Sequence, residues 1–172
     1  MRKHEVEEII QHLRPFAKPK RVYEQYMMQY TQTSICITSI KKHGDIEGKV
    51  IADLCGGTGM QGLTALICGA KRVYFYEIDP DAIEELKKNI AYLGVEKDVE
   101  IHNRDLRKAT KDQFPNDIDT VICAPPFGNA KNEGIETCFM KLADKITEGP
   151  FYIVHKTLLR DVRNPVSLTF SF

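Results

Sequence analysis

The sequence lacks four features that would narrow its function at once: an excess of charge of one sign, paired cysteines, a long hydrophobic run and an internal repeat. Its 24 lysines and arginines balance 24 aspartates and glutamates. No overall field therefore draws the protein to nucleic acid or to an anionic membrane. Any contact with RNA must use a local patch or a partner.

The five cysteines are widely spaced and show neither a C-x-x-C pair nor the Cys/His spacing of a metal site. They are Cys36, Cys55, Cys68, Cys123 and Cys138. We therefore expect reduced thiols and no bound metal. No apolar stretch approaches the roughly 18 residues of a membrane span, and the charged start does not resemble a targeting signal. These features predict a soluble intracellular protein of the cytoplasm or the nucleus.

What is present is ordinary globular composition, with 42% hydrophobic and 28% charged residues in a chain of 172. We expect one domain over residues 1–172, made of an N-terminal helical extension (1–45) and a core (46–172). No linker or low-complexity tract divides it.

The extension is predicted to contain two helices. Apolar residues at helical spacing from Val6 to Phe16 predict an amphipathic helix that Pro15 and Pro19 end, and residues 27–42 are also expected to be helical. The basic residues after the first helix form either a phosphate-contacting arm or a solvated turn. They are Arg14, Lys18, Lys20 and Arg21.

From residue 48 onward, short apolar runs alternate with longer amphipathic ones, as in repeated β-α-β units. Strands are predicted at 49–53, 72–77, 99–103, 120–123 and 151–154. Between the second and third strands, Asp79 is a good helix N-cap, Pro80 suits the first turn and Gly94 ends the helix. The pattern predicts a Rossmann-like α/β fold, with a mostly parallel sheet and helices on both faces.

A glycine-rich turn, Asp53-Leu54-Cys55-Gly56-Gly57-Thr58-Gly59, follows the first predicted strand. Glycines let the backbone approach a ligand closely, although such a turn can also be a plain strand-to-helix connection. Glu77 ends the second strand, where a carboxylate can accept both hydroxyls of a ribose. The phosphate-binding G-x-G-x-x-G pattern is missing. A ligand with a ribose and no pyrophosphate is expected, and S-adenosylmethionine is such a ligand.

Two further features follow the third and fourth strands. Asp105 could accept an adenine amino proton, although a single acid there is more often a solvated strand end. The fourth strand runs into Ala124-Pro125-Pro126-Phe127-Gly128, here called the Pro-Pro segment. Its prolines fix φ and remove two N–H donors, and Phe127 offers a face on which a flat base can stack. The alternative is a rigid turn with a core aromatic.

These motifs resemble the class I S-adenosylmethionine-dependent methyltransferases, and more closely the methyltransferase-like protein 5 family, which methylates N6 of one adenosine in small-subunit ribosomal RNA. The resemblance covers almost the whole chain. It includes F-x-K-P-K and E-Q-Y at residues 16–20 and 24–26, and D-L-G-C-G-x-G at 53–59. It continues with the acidic residues of Glu77-Ile78-Asp79, which resemble the family's ribose-binding step, and with Ala124-Pro125-Pro126-Phe127-Gly128, which stands where the family has N-P-P-F-G. Val154-His155-Lys156 resembles the family's S-L-H-K stretch.

The resemblance implies direct, in-line methyl transfer without a metal, with ribosomal RNA of the small subunit as substrate. The cofactor-binding residues that it implies are Gln25, Tyr26, Asp53, Gly56, Gly57, Gly59, Glu77, Asp79 and Asp105. The catalytic segment that it implies consists of Ala124, Pro125, Pro126 and Phe127. It also implies a partner, a small zinc-binding activator protein that covers an apolar sheet edge, with Val99 and Ile101 as candidate contacts.

Three departures from the family pattern concern the segments around the site and the edge of the sheet. Cys55 replaces the first loop glycine, and Met27-Met28 stand where E-Q-Y continues with proline and threonine. Only Arg163-Asn164-Pro165 separates the helix expected after Lys156 from residues 168–172. We therefore expect a truncated C-terminal sheet edge, with the closing hairpin absent or the last strand docked by a shortcut.

The fourth departure, Ala124, concerns catalysis. In the family, an asparagine oxygen and the carbonyl of the first proline accept the two N6 hydrogens, and only the Pro125 carbonyl remains here. Losing one such contact costs on the order of a hundredfold to a thousandfold in rate. Three hypotheses stay open: an adenosine methyltransferase that is weakened or inactive, a non-catalytic RNA-binding or scaffold protein, and a methyltransferase of a glutamine amide in a translation factor.

Overall fold

A computed structural model describes residues 1–126, 134–154, 158–161 and 167–169. Its strands form one sheet in the order β3-β2-β1-β4-β5-β6-β7. The strands are β1 (Val50–Leu54), β2 (Arg72–Glu77), β3 (Val99–Asn103), β4 (Thr120–Cys123), β5 (Phe151–Val154), β6 (Leu158–Asp161) and β7 (Ser167–Thr169). Strands β1 to β5 are parallel, whereas β6 pairs antiparallel with β5 and β7 pairs antiparallel with β6. The predicted Rossmann-like sheet is confirmed.

The C-terminal region differs from the sequence-based expectation. The structure places strand β6 at Leu158–Asp161, so the helix expected after Lys156 is wrong at these positions. An absent hairpin is also wrong, because β6 and β7 are antiparallel neighbours. We expected the C-terminal edge of the sheet to be truncated. In the structure, β6 and β7, two short strands, form this edge. Pairing with β6 gives the backbone groups of β5 a partner on the side away from β4.

Five α-helices accompany the sheet in the described part of the chain. They are α1 (Lys3–Ile10), α2 (Tyr30–Lys42), α3 (Met60–Ile67), α4 (Pro80–Leu93) and α5 (Ile135–Ile146). Short 3-10 helices occupy Arg21–Tyr23, Glu96–Asp98, Leu106–Lys108 and Lys111–Gln113. The predicted limits of α4 are confirmed: the Asp79 carboxylate accepts from the backbone N–H of Asp81 at 3.0 Å, and Gly94 has φ +66°.

The N-terminal helices are shorter than predicted. Helix α1 ends at Ile10, well before Pro15, and the chain then turns through a Leu13 N–H to Ile10 carbonyl bond of 3.1 Å. Leu13 is nevertheless buried, so the apolar spacing continues beyond the helix itself. Helix α2 begins at Tyr30 rather than at residue 27. Residues 27–29 are not helical.

Two hydrophobic clusters lie on opposite faces of the sheet. Helices α1 to α4 cover one face, where Ile51, Phe75 and Ile122 are buried. Helix α5 covers the other face, against Leu54 and Val121. All five residues of β1 are buried, as expected of a central parallel strand covered on both sides. This strand also carries a carboxylic acid, Asp53, into the interior.

No helix among the described residues combines the length and the apolar character that a membrane span needs.

Candidate active site

A cavity of about 800 Å³ opens at the carboxyl ends of the parallel strands, where open α/β sheets bind their ligands. Its volume is that of an ordinary small-molecule site. The predicted site residues that line it are Gln25, Tyr26, Asp53, Gly56, Gly57, Glu77, Asp105, Ala124, Pro125 and Pro126. Gly59 and Asp79 are not among its lining residues, and Phe127 lies outside the described residues.

The glycine-rich turn packs too closely for side chains at Gly56, Gly57 and Gly59, and the last two also have positive φ. Gly57 has φ +55°, and a Cβ there would lie 2.9 Å from the ring of Phe16. Gly59 has φ +90°, and a Cβ there would lie 2.4 Å from Leu86 of α4. Gly57 therefore lets the N-terminal segment close over the turn, whereas Gly59 lets α3 pack against α4.

Cys55 occupies the same turn in a conformation that suits glycine. Its φ is +67°, in the left-handed region that costs an L-residue about 1 kcal/mol or more. Cys55 lines the cavity, and its thiol contacts Cys123 at the end of β4. Burial, and then a hydrogen bond with the Cys55 thiol, raises the pKa of the Cys123 thiol. The two cysteines thus lie side by side next to the Pro-Pro segment.

Glu77 is held at the end of β2 by backbone N–H groups. One carboxylate oxygen accepts from Gly57 at 2.7 Å and the other accepts from Asp79 at 2.8 Å. The residue is only 6% exposed, and this burial raises its pKa although the N–H donors act against it. An ionised carboxylate has about four acceptor positions, so these N–H groups leave acceptor capacity for hydroxyl donors in the cavity.

Asp53 is the second buried acid of the cavity. It is 1% exposed, and one carboxylate oxygen accepts from the backbone N–H of Gly62 at 2.9 Å. Burial, together with the neighbouring negative charge of Glu77, raises the pKa of Asp53 to about 7. A cation bound nearby would stabilise the ionised form of both acids.

Asp105 lies just after β3, at the start of a short 3-10 helix, and lines the cavity. Its carboxylate accepts from the backbone N–H of Arg107 at 3.0 Å and from Nε of the same arginine at 2.9 Å. These bonds hold the pKa of Asp105 below its usual value. An adenine amino group that binds Asp105 would share the carboxylate with this guanidinium.

Residues 14–29, here called the wall segment, form one side of the cavity, and α4 anchors this segment at two points. At the first anchor, the Gln25 amide donates to Asp79 at 2.6 Å and its oxygen accepts from the Lys20 N–H at 2.7 Å. The Lys20 ammonium lies 2.8 Å from Asp81 and also bonds Asp79. Asp79 therefore caps α4 and holds the wall segment, a set of contacts different from the predicted cofactor contact.

The second anchor is Asn89, a fully buried residue of α4 that the sequence did not single out. Its amide nitrogen donates to the carbonyls of Arg14 and Thr58 at 3.1 and 2.9 Å, and its oxygen accepts from the Arg14 N–H at 2.7 Å. It joins the wall segment to the glycine-rich turn. In the sequence, Asn89 directly precedes Ile90, which is on the inner side of an amphipathic helix. An uncharged polar residue next to the apolar side of a helix was the signal that could have identified it.

The basic run at residues 14–21 is largely exposed, as the solvated-turn alternative predicts, and it also pairs with acids of α4. The Arg14 guanidinium lies 2.7 Å from buried Glu85, and Lys20 is paired with Asp79 and Asp81. The Lys18 ammonium lies 3.9 Å from Asp81. Three of these four cations therefore pair with acids of α4 and its cap, which fixes the wall segment to the core.

The Pro-Pro segment reaches the cavity directly after β4, with Ala124, Pro125 and Pro126 among the lining residues. The Ala124 side chain packs against the core cluster that contains Ile122, and a methyl group offers no hydrogen bond. The described residues contain no group of three or more His, Cys, Asp or Glu side chains placed to hold a metal ion.

Comparison with known proteins agrees with this arrangement. The model of the family described as conserved hypothetical protein 95 matches residues 31–161. The rRNA N(6)-adenosine-methyltransferase Mettl5 of Drosophila melanogaster is 29% identical over 157 residues, which are 90% of this chain and 73% of that protein. The corresponding Danio rerio enzyme is 29% identical over 166 residues, covering 94% and 77% of the two chains.

A similar solved structure is that of a proposed RNA methyltransferase from Pyrococcus horikoshii. It has a TM-score of 0.77 and 32% sequence identity, and the match covers 88% of this chain and 72% of that one. The match to the family model extends over most of the chain. The chain therefore belongs to the conserved hypothetical protein 95 family and is a methyltransferase of the methyltransferase-like protein 5 type.

Proposed function

We propose that this protein transfers a methyl group from S-adenosylmethionine to N6 of an adenosine in small-subunit ribosomal RNA. One observation carries the proposal: a single cavity joins Glu77, Asp53 and Asp105 with the Pro-Pro segment. The named activity of the relatives from Drosophila melanogaster and Danio rerio supports the same substrate.

The residues of the cavity fit the parts of such a cofactor. Glu77 retains acceptor positions for the two ribose hydroxyls, and Asp105 is placed to accept from an adenine amino group. The backbone at Gly56 and Gly57 allows close approach, while Gln25 and Tyr26 contribute the wall on the opposite side. Bound S-adenosylmethionine supplies an electrophilic methyl group.

The substrate side of the site lies at the Pro-Pro segment. The Pro125 carbonyl would accept one N6 hydrogen, and the Ala124 methyl group can accept none. Stacking of the target base on Phe127 stays a prediction, since this residue lies outside the described ones. Because N6 loses its proton only after the methyl group is attached, the site needs no strong general base. We infer that Ala124 slows the transfer without weakening cofactor binding.

Methyl transfer from radiolabelled S-adenosylmethionine to purified small ribosomal subunits tests this proposal. We expect slow transfer by the wild-type chain and a hundredfold to a thousandfold gain on Ala124→Asn. A matched control is Ala124→Val, which adds similar bulk without an acceptor and should bring no gain. Failure of both the wild type and Ala124→Asn to methylate the subunits, although both bind the cofactor, would contradict the proposal.

That outcome would favour the second candidate, a non-catalytic RNA-binding or scaffold protein. Ala124 and the strained Cys55 are the observations in its favour. Binding of the RNA of the small subunit with no transfer by either chain would identify it. The same assay with a translation factor in place of the subunits would test methylation of a glutamine amide.

We also propose that a small zinc-binding activator protein binds at strand β3. Strand β3 is an edge strand of the sheet that the structure describes. The side chains of its Val99 and Ile101 are only partly buried. An edge strand offers backbone groups with which another chain can pair. Ile101→Lys should prevent co-purification with such a protein after co-expression. Unchanged co-purification would place the partner elsewhere.

A further inference from the structure

Gln61 is a buried polar residue of the cavity with an unused acceptor. It lies in the first turn of α3, lines the cavity and is only 6% exposed. Its side-chain oxygen Oε1 is buried and has no hydrogen-bond partner among the described residues. Leaving such a group unpaired is unfavourable, and a bound ligand, an ion or an ordered water can supply the missing donor.

Two buried polar side chains near Gln61, those of Thr64 and Asn89, do not share this property, whereas the hydroxyl of Tyr76, another lining residue, does. The hydroxyl of Thr64, one turn further along α3, donates to the Met60 carbonyl. The amide of Asn89 makes hydrogen bonds through both its nitrogen and its oxygen. The unpaired atoms of Gln61 and Tyr76 thus both belong to residues that line the cavity, and Gln61 is the one on α3, next to the residue that bonds Asp53.

The surroundings of Gln61 select the kind of group that can bind it. The next residue, Gly62, donates its N–H to the Asp53 carboxylate at 2.9 Å, so the first turn of α3 is joined directly to that acid. Asp53 also lines the cavity. A neutral acceptor in the same cavity as a buried acid suits a cation with several N–H donors, and an ammonium group has three.

The sheet order shows which part of the cofactor would lie there. Asp53 on β1 is in register with Phe75 on β2 and with Ile122 on β4. The end of β1 is thus between the ribose-binding end of β2 and the Pro-Pro segment after β4. The part of S-adenosylmethionine that follows the ribose is the sulfonium group and its amino-acid arm. This arm carries an ammonium group.

We propose that Gln61 is a further cofactor-binding residue, whose side-chain oxygen accepts a hydrogen bond from the ammonium group of the methionine moiety, beside Asp53. This inference rests on the cofactor assignment made under the proposed function. It assigns α3 a direct part in recognising the amino-acid arm, in addition to the glycine-rich turn that precedes it.

Two ligands that differ only in the amino-acid arm test the inference. S-adenosylhomocysteine carries the ammonium group, whereas 5′-methylthioadenosine has the same nucleoside thioether without that arm. Isothermal titration with both ligands should be run on the full chain and on Gln61→Leu, which removes the acceptor at similar volume. We expect Gln61→Leu to weaken S-adenosylhomocysteine tenfold to a hundredfold and to leave 5′-methylthioadenosine within twofold.

Two further variants separate the explanations. Gln61→Glu keeps an acceptor, so it should preserve binding of S-adenosylhomocysteine; a loss would mean that the glutamine nitrogen faces the ligand carboxylate, which overturns the proposal. Thr64→Val removes a polar group of the same helix that does not line the cavity, and both affinities should stay unchanged. A melting temperature for Gln61→Leu at or above that of the wild type would show that the variant is folded.

The remaining outcomes are distinguishable. Equal weakening of both ligands by Gln61→Leu, or no weakening of either, overturns the role of Gln61 and leaves the cofactor assignment intact. A folded wild-type chain that binds neither ligand overturns the cofactor assignment and this inference with it.

Discussion

At the scale of single residues, Asp53 is a buried acid whose pKa is strongly raised. Burial and the charge of Glu77 raise its pKa to about 7, so the folded state binds a proton there that the unfolded chain releases near pH 4. The stability that depends on this proton is present at low pH. It is lost as the pH rises toward and through 7.

Asp53→Asn should remove this pH dependence. The asparagine oxygen can still accept from the Gly62 N–H, and no carboxyl has to ionise in the interior. At pH 8 and without ligand we expect the variant to be more stable than the wild type, by on the order of 2 to 4 kcal/mol. At pH 5 the difference should be smaller by about 2 to 3 kcal/mol, because most of the proton-linked loss occurs between pH 5 and 7. Urea unfolding at both values measures this, and an equal difference at the two would contradict the assignment.

Cys55 carries backbone strain that glycine would relieve. Cys55→Gly should stabilise the fold by about 1 kcal/mol because φ is +67°. Cys55→Ala is the matched control: it removes the thiol but keeps the Cβ, so it should bring no such gain. Thermal unfolding of the three chains measures the difference. A gain in the alanine variant equal to that in the glycine variant would assign the effect to the thiol.

At the scale of elements, the wall segment depends on α4. Asn89→Ala should destabilise the protein by about 2 to 4 kcal/mol, because backbone groups of Arg14 and Thr58 lose their partner. It should also weaken binding of S-adenosylhomocysteine. Asn89 holds the wall segment in place, and Phe16 of that segment packs over the glycine-rich turn that borders the cavity. Urea unfolding and calorimetric titration measure the two effects.

The control for this variant lies on the outer face of the same helix. Glu84→Ala removes an exposed residue paired with Lys87, and stability and affinity should both remain close to those of the wild type. Weaker stability with unchanged affinity in Asn89→Ala would show that α4 supports the fold but not the cavity.

The sequence predicts elements better than their connections. Strands β1 to β5 follow from compact apolar runs, and α4 follows from Asp79, Pro80 and Gly94, because these signals are local. The link from Asn89 to Arg14 joins residues far apart in sequence, so no local pattern reveals it. Asp79 shows the same limit: its cap on α4 was predictable, whereas its bonds to Lys20 and Gln25 were not. The unpaired oxygen of Gln61 is visible only once the cavity exists.

At the scale of the whole molecule, the net charge is zero, so no overall electrostatic field attracts RNA. Recognition of RNA must therefore depend on the local arrangement of residues. One sheet contains all seven described strands, and we propose that residues 1–172 act as a single domain. The cofactor would bind over the ends of β1 and β2, and the target base would enter at the Pro-Pro segment after β4. Cofactor binding and methyl transfer would thus depend on different residues of the same cavity.

The most direct test of this separation is calorimetric titration of S-adenosylhomocysteine into three chains. The account predicts saturable one-to-one binding by the wild type, the same affinity within twofold for Ala124→Asn, and a loss of tenfold or more for Glu77→Gln. A melting curve without ligand should accompany each titration, because Glu77 also bonds the N–H groups of Gly57 and Asp79. No binding by the folded wild type, or equal binding by a folded Glu77→Gln, would contradict it.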